Sequence, residues 1–418
     1  MKIRVKIGDL VEQVTQTAIT TDKKAPDLPA GKVYLRALIQ PAKDDTEAAK
    51  NFLVLFSSNQ GISKTLFKME IEEVLEEGQV LIEPARLLGG LLGRDNSQIA
   101  ELETLPDESK VRVKVGKNVM NLPFDASTDF AVSTIKAMPR GEAVAKISAQ
   151  TLLTFIKRSW FCIQADDNGQ QKYALGVLNI TGKDGFYTAQ ATDGNIVVQH
   201  VAAQTETTKY DLESLMIPRE VLLDSLQKIL LRHKDADVDL LEGPRNDKGV
   251  LQEIFFRMEG VQFGTALRVG VYPDIKAVLK QHDPDFQTAV SRADLKNALT
   301  RANNFVSKDD DKHTIKLSFT SDQVLNVEAS NEVSDLHDEL AIVETIDTIE
   351  NVSLHLNIDY LTNIAGSEAS ETVMLGFNTD KTKALIVDHN VEGFTTRYAA
   401  MPVLLEKKTK AKKGKASE

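Results

Sequence analysis

The chain has 418 residues, 42% of them hydrophobic and 27% charged, with a formal net charge of −11. That length is too great for one compact core and calls for roughly two to four domains, while the acidic balance argues against a general nucleic-acid coat. The N-terminal "MKIRVKIGDLVEQV" alternates charge with hydrophobe and no stretch approaches about 18 uninterrupted apolar residues, which argues against a secretory leader and a membrane span. Cys162, the single cysteine, can form neither an internal disulfide nor a cysteine-based metal site, so a reducing, cytoplasmic setting is expected. In "RSWFCIQ" it reads as a small core hydrophobe.

In chain order, leucine and valine at helical spacing predict a first helix over Gly8–Ala18. "LIEPARLLGGLLG" (Leu81–Gly93) is a short β-type stretch, then proline where a helix tolerates it, then leucines at helical spacing. "VRVKV" (Val111–Val115) alternates as a strand, "NVMNLP" runs into Pro123, and "STIKAMPRGEA" (Ser133–Ala143) reads as a linker. A helix is predicted over Ser148–Trp160. Alternating strands follow, broken by Gly-Lys-Asp-Gly and by the Asp-Gly of "TAQATDGNIVV" (Thr188–Val198), the strongest short-range hairpin signal. "LMIPREVLLDSLQKIL" (Leu215–Leu230) repeats the strand–proline–helix pattern, "RVGVYP" ends at Pro273, and "KQHDPDFQ" (Lys280–Gln287) reads as a second linker. A third set comprises the helix Ser291–Phe305, the hairpin "TIKLSFTSDQVLNVEAS", the strand–helix "LHLNIDYLTNIAGS" (Leu354–Ser367) and "RYAAMP" ending at Pro402. The lysine-rich "EKKTKAKKGKASE" (Glu406–Glu418) lacks hydrophobes and is expected to be disordered.

Both helical markers recur about every 140 residues, and each set ends on an apolar strand running into proline. The chain therefore reads as three copies of one α+β unit, each with antiparallel strands and two helices. The boundaries expected are 1–138, 139–284 and 285–405, followed by a basic tail over 406–418.

Three helical segments carry net positive charge in this acidic chain: +2 over Gln150–Trp160, +2 over Pro218–Lys234 and +3 over Arg292–Lys308. Facing a common channel, they would attract a polyanion while the exterior stayed acidic. "DYLTNIAGSEASE" is acidic and departs from that pattern.

Motifs for chemistry are missing. No Gly-rich loop ends in Gly-Lys-Ser/Thr, no serine sits in a Gly-x-Ser-x-Gly elbow, and the seven histidines form no His-Glu-x-x-His pair. "RLLGGLLGR" (Arg86–Arg94) reads as close helix packing. "SDLHDEL", with Asp335, His337, Asp338 and Glu339, is the nearest metal look-alike and reads as an exposed acidic edge; "SKDDDKH" (Ser307–His313) reads as a solvated loop. No cofactor, no metal and no catalytic residue is expected.

"ATDGNIVV", "MIPREVLLDSLQKIL", "VGVYPDIKAVLK" and "RYAAMPVLL", in that order within a three-repeat chain, resemble the β subunit of bacterial DNA polymerase III, the sliding clamp. The resemblance covers about residues 1–405 and is strongest from about 148 onward. It implies an α+β fold of three repeated clamp-type domains closing head-to-tail as a homodimeric ring around duplex DNA, held topologically by sequence-independent contacts. It also implies no enzymatic activity: a clamp-loader ATPase opens the ring, and the replicative polymerase and other partners are tethered to it through short linear peptides for processivity in DNA replication.

The resemblance further implies a mostly apolar partner-peptide pocket. By motif it falls on Thr192, Gly194, Asn195, Ile196 and Val197; on Pro273, Ala277 and Val278; and on Ala400, Met401, Pro402, Val403, Leu404 and Leu405, with Tyr173, Ala174 and Leu175 adding to the floor. The family often has His-Arg at Asn195-Ile196 and a basic residue at Ala277, so this pocket is less cationic. The DNA-binding residues expected are Lys23, Lys24, Arg86, Lys157, Arg158, Tyr173, Lys228, Arg232, Lys296 and Arg301. The expected ring contact sets Phe305 and Val306 against Val119 and Met120 as exposed apolar pairs. The alternatives are a monomeric three-domain peptide-binding scaffold that does not encircle DNA, and a hydrolase using Asp193 or the Asp335–Glu339 cluster.

Overall fold

The structure is a computed structural model that describes residues 1–42, 48–59, 61–165, 174–204, 209–306, 313–320, 324–345, 351–367, 370–391 and 393–404. The chain divides into two compact units. Unit 1 comprises Met1–Ile156, Val177–Gly185 and Gln204–Val271; unit 2 comprises Lys157–Gly176, Phe186–Ala203 and Tyr272–Glu418.

In unit 1, thirteen described strands form one hydrogen-bonded order, from Ala145–Ser148 at one edge to Glu73–Glu76 at the other. Every pairing is antiparallel, including the one joining distant sequence, where Val261–Ala266 lies beside Ser63–Glu70 with Val261 opposite Phe67. Period-two burial explains the strands: in Lys2–Lys6, Ile3 and Val5 are buried while Arg4 and Lys6 are exposed. The helix Ile7–Thr17 buries Ile7, Leu10 and Val14 on one stripe, and Pro84 opens the helix Pro84–Leu91, which buries Leu87 and Leu91.

Unit 2 runs from Phe186–Thr192 through Ile196–Ala203, Phe394–Ala400, Leu385–Val391, Thr372–Phe377 and Phe286–Ser291 to Asp335–Thr345, Val324–Ser330, Thr314–Thr320 and Val352–Asn357. Its helices Arg292–Ala302 and Ile358–Ser367 pack on each other. Ser291 caps the first by accepting from the Asp294 N–H (3.3 Å), and Asn357 caps the second by accepting from the Asp359 N–H (2.8 Å). Beneath them Phe319 meets Phe377 edge-on at 4.8 Å, and Phe286 stacks on Phe377 at 5.7 Å.

The predicted helices at Gly8–Ala18, Ser148–Trp160 and Ser291–Phe305 correspond to Ile7–Thr17, Ala149–Ser159 and Arg292–Ala302. The segment after Pro218 departs from a plain α-helix: a π turn over Leu222–Leu226 separates Arg219–Val221 from Gln227–Arg232. Neither predicted linker is wholly irregular. Ser133–Ala137 closes a helix, Asp129–Ala137, whose Ala131, Val132 and Ile135 pack with Tyr34, Phe56 and Phe255. Lys280 and Gln281 close another, Ile275–Gln281. Short polar-rich amphipathic helices of this kind look like linkers because one buried stripe needs only two or three apolar residues. The basic tail over 406–418 lies outside the described residues.

Candidate peptide-docking patch

The patch lies in unit 2 and begins at the hairpin between Phe186–Thr192 and Ile196–Ala203, where Thr192 pairs with Val197. Gly194 takes φ +99°, a conformation costly for any other residue. Asp193 shapes the turn: its Oδ1 accepts from the N–H groups of Asn195 (2.8 Å) and Ile196 (3.0 Å), and its Oδ2 accepts from the Tyr360 hydroxyl (2.6 Å). Thr192 adds a second tie, accepting from the Gly194 N–H at 3.1 Å and donating to the Ile196 carbonyl at 2.8 Å. The carboxylate is thereby committed to holding the backbone.

The second wall is the helix Ile275–Gln281, capped by Asp274, whose Oδ1 accepts from the Ala277 N–H at 3.0 Å. Ahead of it, Tyr272 donates its hydroxyl to the Gln190 carbonyl at 3.1 Å. The third is the segment leaving Phe394–Ala400. The Met401 N–H donates to the Asn195 carbonyl (2.9 Å) and the Val403 N–H to the His355 carbonyl (2.7 Å). These walls meet in one apolar cluster: Val197, Ile275, Leu279, Ala384, Ile386 and Ala399 are buried, and Tyr272, Val278 and Met401 lie partly open against them.

Of the residues expected at a pocket, Val197, Val278 and Met401 come together. Gly194 stands next to Leu175, whose Cδ1 lies 3.8 Å from where a Cβ would sit. Ala174 and Leu175 are half-buried, as are Pro402 and Val403; Asn195, Pro273, Ala277 and Leu404 are exposed. Thr192 and Ala400 are buried, and so is Ile196, fully enclosed next to Val197, because neighbours on a strand point to opposite faces. Ile196 therefore does not line an open floor. Tyr173 and Leu405 lie outside the described residues. Sequence reasoning missed Tyr272, Ile386 and Tyr360; an aromatic next to Pro273 in "VYPDIKAV" was the available signal for the first.

The electrostatics of the patch do not favour proton transfer. Burial raises the Tyr272 hydroxyl above its usual range; burial, then the hydrogen bond to Asp193, raises that of Tyr360. Burial also pushes the Cys162 thiol well up, so it stays neutral. Among the described residues, no three His, Cys, Asp or Glu side chains meet as a metal-binding group. Asp338 pairs with Arg301 at 2.8 Å, away from His337, which approaches Glu339 at 3.4 Å.

The expected DNA-binding cations divide. Lys23, Lys24, Lys157 and Lys296 are exposed. Arg86 pairs with Glu83 (2.5 Å), Lys228 with Asp224 (3.9 Å), Arg232 with Glu12 (3.3 Å) and Arg301 with Asp338. Such exposed pairs are weak and leave those cations competent for other anions. Arg158 must be withdrawn from the set. It is 5% exposed, bonds Thr396 Oγ1 (3.2 Å) and lies 5.0 Å over the Phe394 ring, because its position on the helix Ala149–Ser159 turns it into unit 2. Tyr173, again, is not described.

At the expected ring contact, Val119 is 54% exposed and Met120 half-buried. Gly90 makes room for Met120, whose Sδ would lie 2.0 Å from a Cβ at that position; this is the close packing read into "RLLGGLLGR". Phe305 is half-buried, but Val306 is only 7% exposed, so the two do not form an exposed apolar pair. Val306 belongs to the core of its own unit.

No protein-family model and no curated protein matches the chain. Solved structures do. The DNA polymerase sliding clamp of Pseudomonas aeruginosa superposes with a TM-score of 0.79 at 20% identity, covering 97% of this chain and 100% of that one. The chain has the fold of a DNA sliding clamp. The clamp of Bacillus subtilis superposes at 0.79 with 15% identity (97% and 100% covered) and the β subunit of Streptococcus pyogenes DNA polymerase at 0.78 with 17% (96% and 100%). A further P. aeruginosa clamp structure, at 0.79 and 19%, is bound to griselimycin.

Proposed function

We propose that this protein is a non-enzymatic processivity factor of DNA replication, a homodimeric ring that encircles duplex DNA and tethers the replicative polymerase and the clamp loader. The single observation that carries this reading is the match of nearly the whole chain to whole sliding clamps. Supporting it, Val278 and Met401, at positions where the family's partner pocket is expected, lie partly open with Tyr272 on a cluster that includes the buried Val197. A patch of that kind holds a short peptide by two or three apolar anchors, each contributing roughly 1.5–3 kcal/mol when fully buried.

DNA contact in this reading is weak and sequence-independent, carried by exposed cations such as Lys23, Lys24, Lys157 and Lys296. Ring closure supplies the retention, so modest affinity suffices in an acidic chain. Asn195 and Ala277 make the pocket rim less cationic than is usual, and selection among peptides then rests on apolar fit. Sedimentation equilibrium at micromolar concentration tests the assembly. Twice the chain's 46.1 kDa is expected, and a species at the single-chain mass would favour the monomeric scaffold instead.

A further inference from the structure

The helix Ile275–Gln281 has two open flanks. Val278 lies on the flank that joins the apolar patch. On the other flank, Lys276 and Lys280 border a cleft of about 480 Å³ whose lining includes Leu279, Val201, Gln199 and Arg397. The cleft also contains two carboxylates, Asp388 and Asp283, and one guanidinium engages both. Arg397 donates through Nε and Nη2 to Asp388 (2.7 and 2.8 Å) and through Nη1 to Asp283 (3.0 Å). That fork holds the acids in place and leaves the two lysines as the cleft's available charges. Among the described residues, neither lysine forms an ion pair, and both are exposed.

We propose that this cleft is a second subsite for partner peptides, one that receives aspartate or glutamate side chains between Lys276 and Lys280. A peptide anchored on the apolar patch would cross the helix over Ala277, whose exposed side chain is a single methyl group. Lys276 and Lys280, four residues apart, project from one side of the helix, and Val278 from the other. A helix is about 10 Å across and extended chain advances about 3.3 Å per residue, so the acidic residues lie about three to five positions from the nearest apolar anchor. The apolar floor of Leu279 and Val201 favours a peptide over a nucleic-acid backbone. The inference rests on the peptide-docking reading of the adjoining patch and specifies the chemistry of its partners.

Fluorescence anisotropy on the full chain tests it with labelled peptides. The probes are Ser-Leu-Ala-Leu-Phe-Gly-Ser-Gly-Asp-Glu, its counterpart with the acidic pair and spacer placed ahead of the apolar residues, and neutral twins carrying Asn-Gln for Asp-Glu. One acidic peptide is expected to bind roughly five- to tenfold more tightly than its neutral twin at low salt, the scale of two partly screened ion pairs. In the Lys276→Ala/Lys280→Ala protein that advantage disappears, while affinity for the neutral twin stays unchanged. If neither acidic peptide has an advantage, or if the advantage survives the double substitution, the acidic subsite is overturned and the apolar patch stands. If no peptide binds at all, the patch reading fails and the subsite with it. Displacement of the acidic peptide by an oligothymidylate as effectively as by unlabelled acidic peptide would overturn the choice of a peptide occupant.

Discussion

The two faces of the strand Ile196–Ala203 are built from alternate residues of one short sequence, yet they do different work. Val197, Gln199 and Val201 face the helix Ile275–Gln281, on a surface that stays partly open and is apolar at one end and charged at the other. On the opposite face, His200 is sealed in a network. Its ring nitrogens share hydrogen bonds with Thr396 (2.9 Å) and Ser159 (3.0 Å), and the Tyr398 hydroxyl, beside it, donates to the Arg158 carbonyl (3.1 Å). A docking surface needs unfilled apolar area and spare charge; the buried face must satisfy every polar group it contains, because each unpaired one costs about 1–3 kcal/mol. Substitutions on the sealed face should therefore act on stability, and those on the open face on binding.

The largest stability effect is expected at Arg158. Replacing it by alanine removes a buried guanidinium, its bond to Thr396 and its contact with Phe394, and should lower unfolding free energy by about 2–4 kcal/mol in urea titrations. Lys157→Ala, one position earlier but exposed, should change it by less than about 0.5 kcal/mol. Equal effects at the two positions would erase the distinction between the faces.

A pH effect follows from His200. Burial, and then the charge of Arg158, holds its pKa down at about 3 against an ordinary value of 6.5. Between those values the unfolded chain binds the extra proton, so the stabilisation is complete above about pH 6.5 and declines as pH falls toward 3, at up to about 1.4 kcal/mol per unit. Unfolding free energies from urea titrations at pH 6.5 and 5 should therefore differ by about 1.6 kcal/mol more in the wild type than in His200→Asn. Matching pH dependence in the two proteins would contradict the sealed network.

On the open face, Val278→Ser should weaken binding of a leucine- and phenylalanine-bearing peptide roughly tenfold, the value of one half-buried aliphatic anchor, with little change in the urea midpoint. The smallest effect is expected at the junction between faces. Asp193→Asn keeps the turn but weakens the charge-assisted bond from Tyr360, costing about 1 kcal/mol, and abolishes no turnover.

Much of this architecture was legible in the chain. The period of about 140 residues, the six helices it marks and the Asp-Gly turn all come from local rules of spacing and turn chemistry. The helices Asp129–Ala137 and Ile275–Gln281 were not legible, their C-terminal residues having been read into linkers, since both are held by contacts with distant strands. The same limit explains Arg158 and Val306: burial of one residue on a short helix or turn depends on which element lies opposite, and spacing carries no record of that. Val197 and Ile196 were both read onto one pocket floor, yet they face opposite sides of the strand, because the motif gives the strand while the register decides the face.

The most direct measurement is retention on DNA after loading, comparing nicked circular plasmid with the same plasmid linearised. A closed ring held by topology should remain on the circle and slide from the linear form within the same wash. Equal retention on both would contradict encirclement and leave a clamp-folded protein that binds DNA by contact alone.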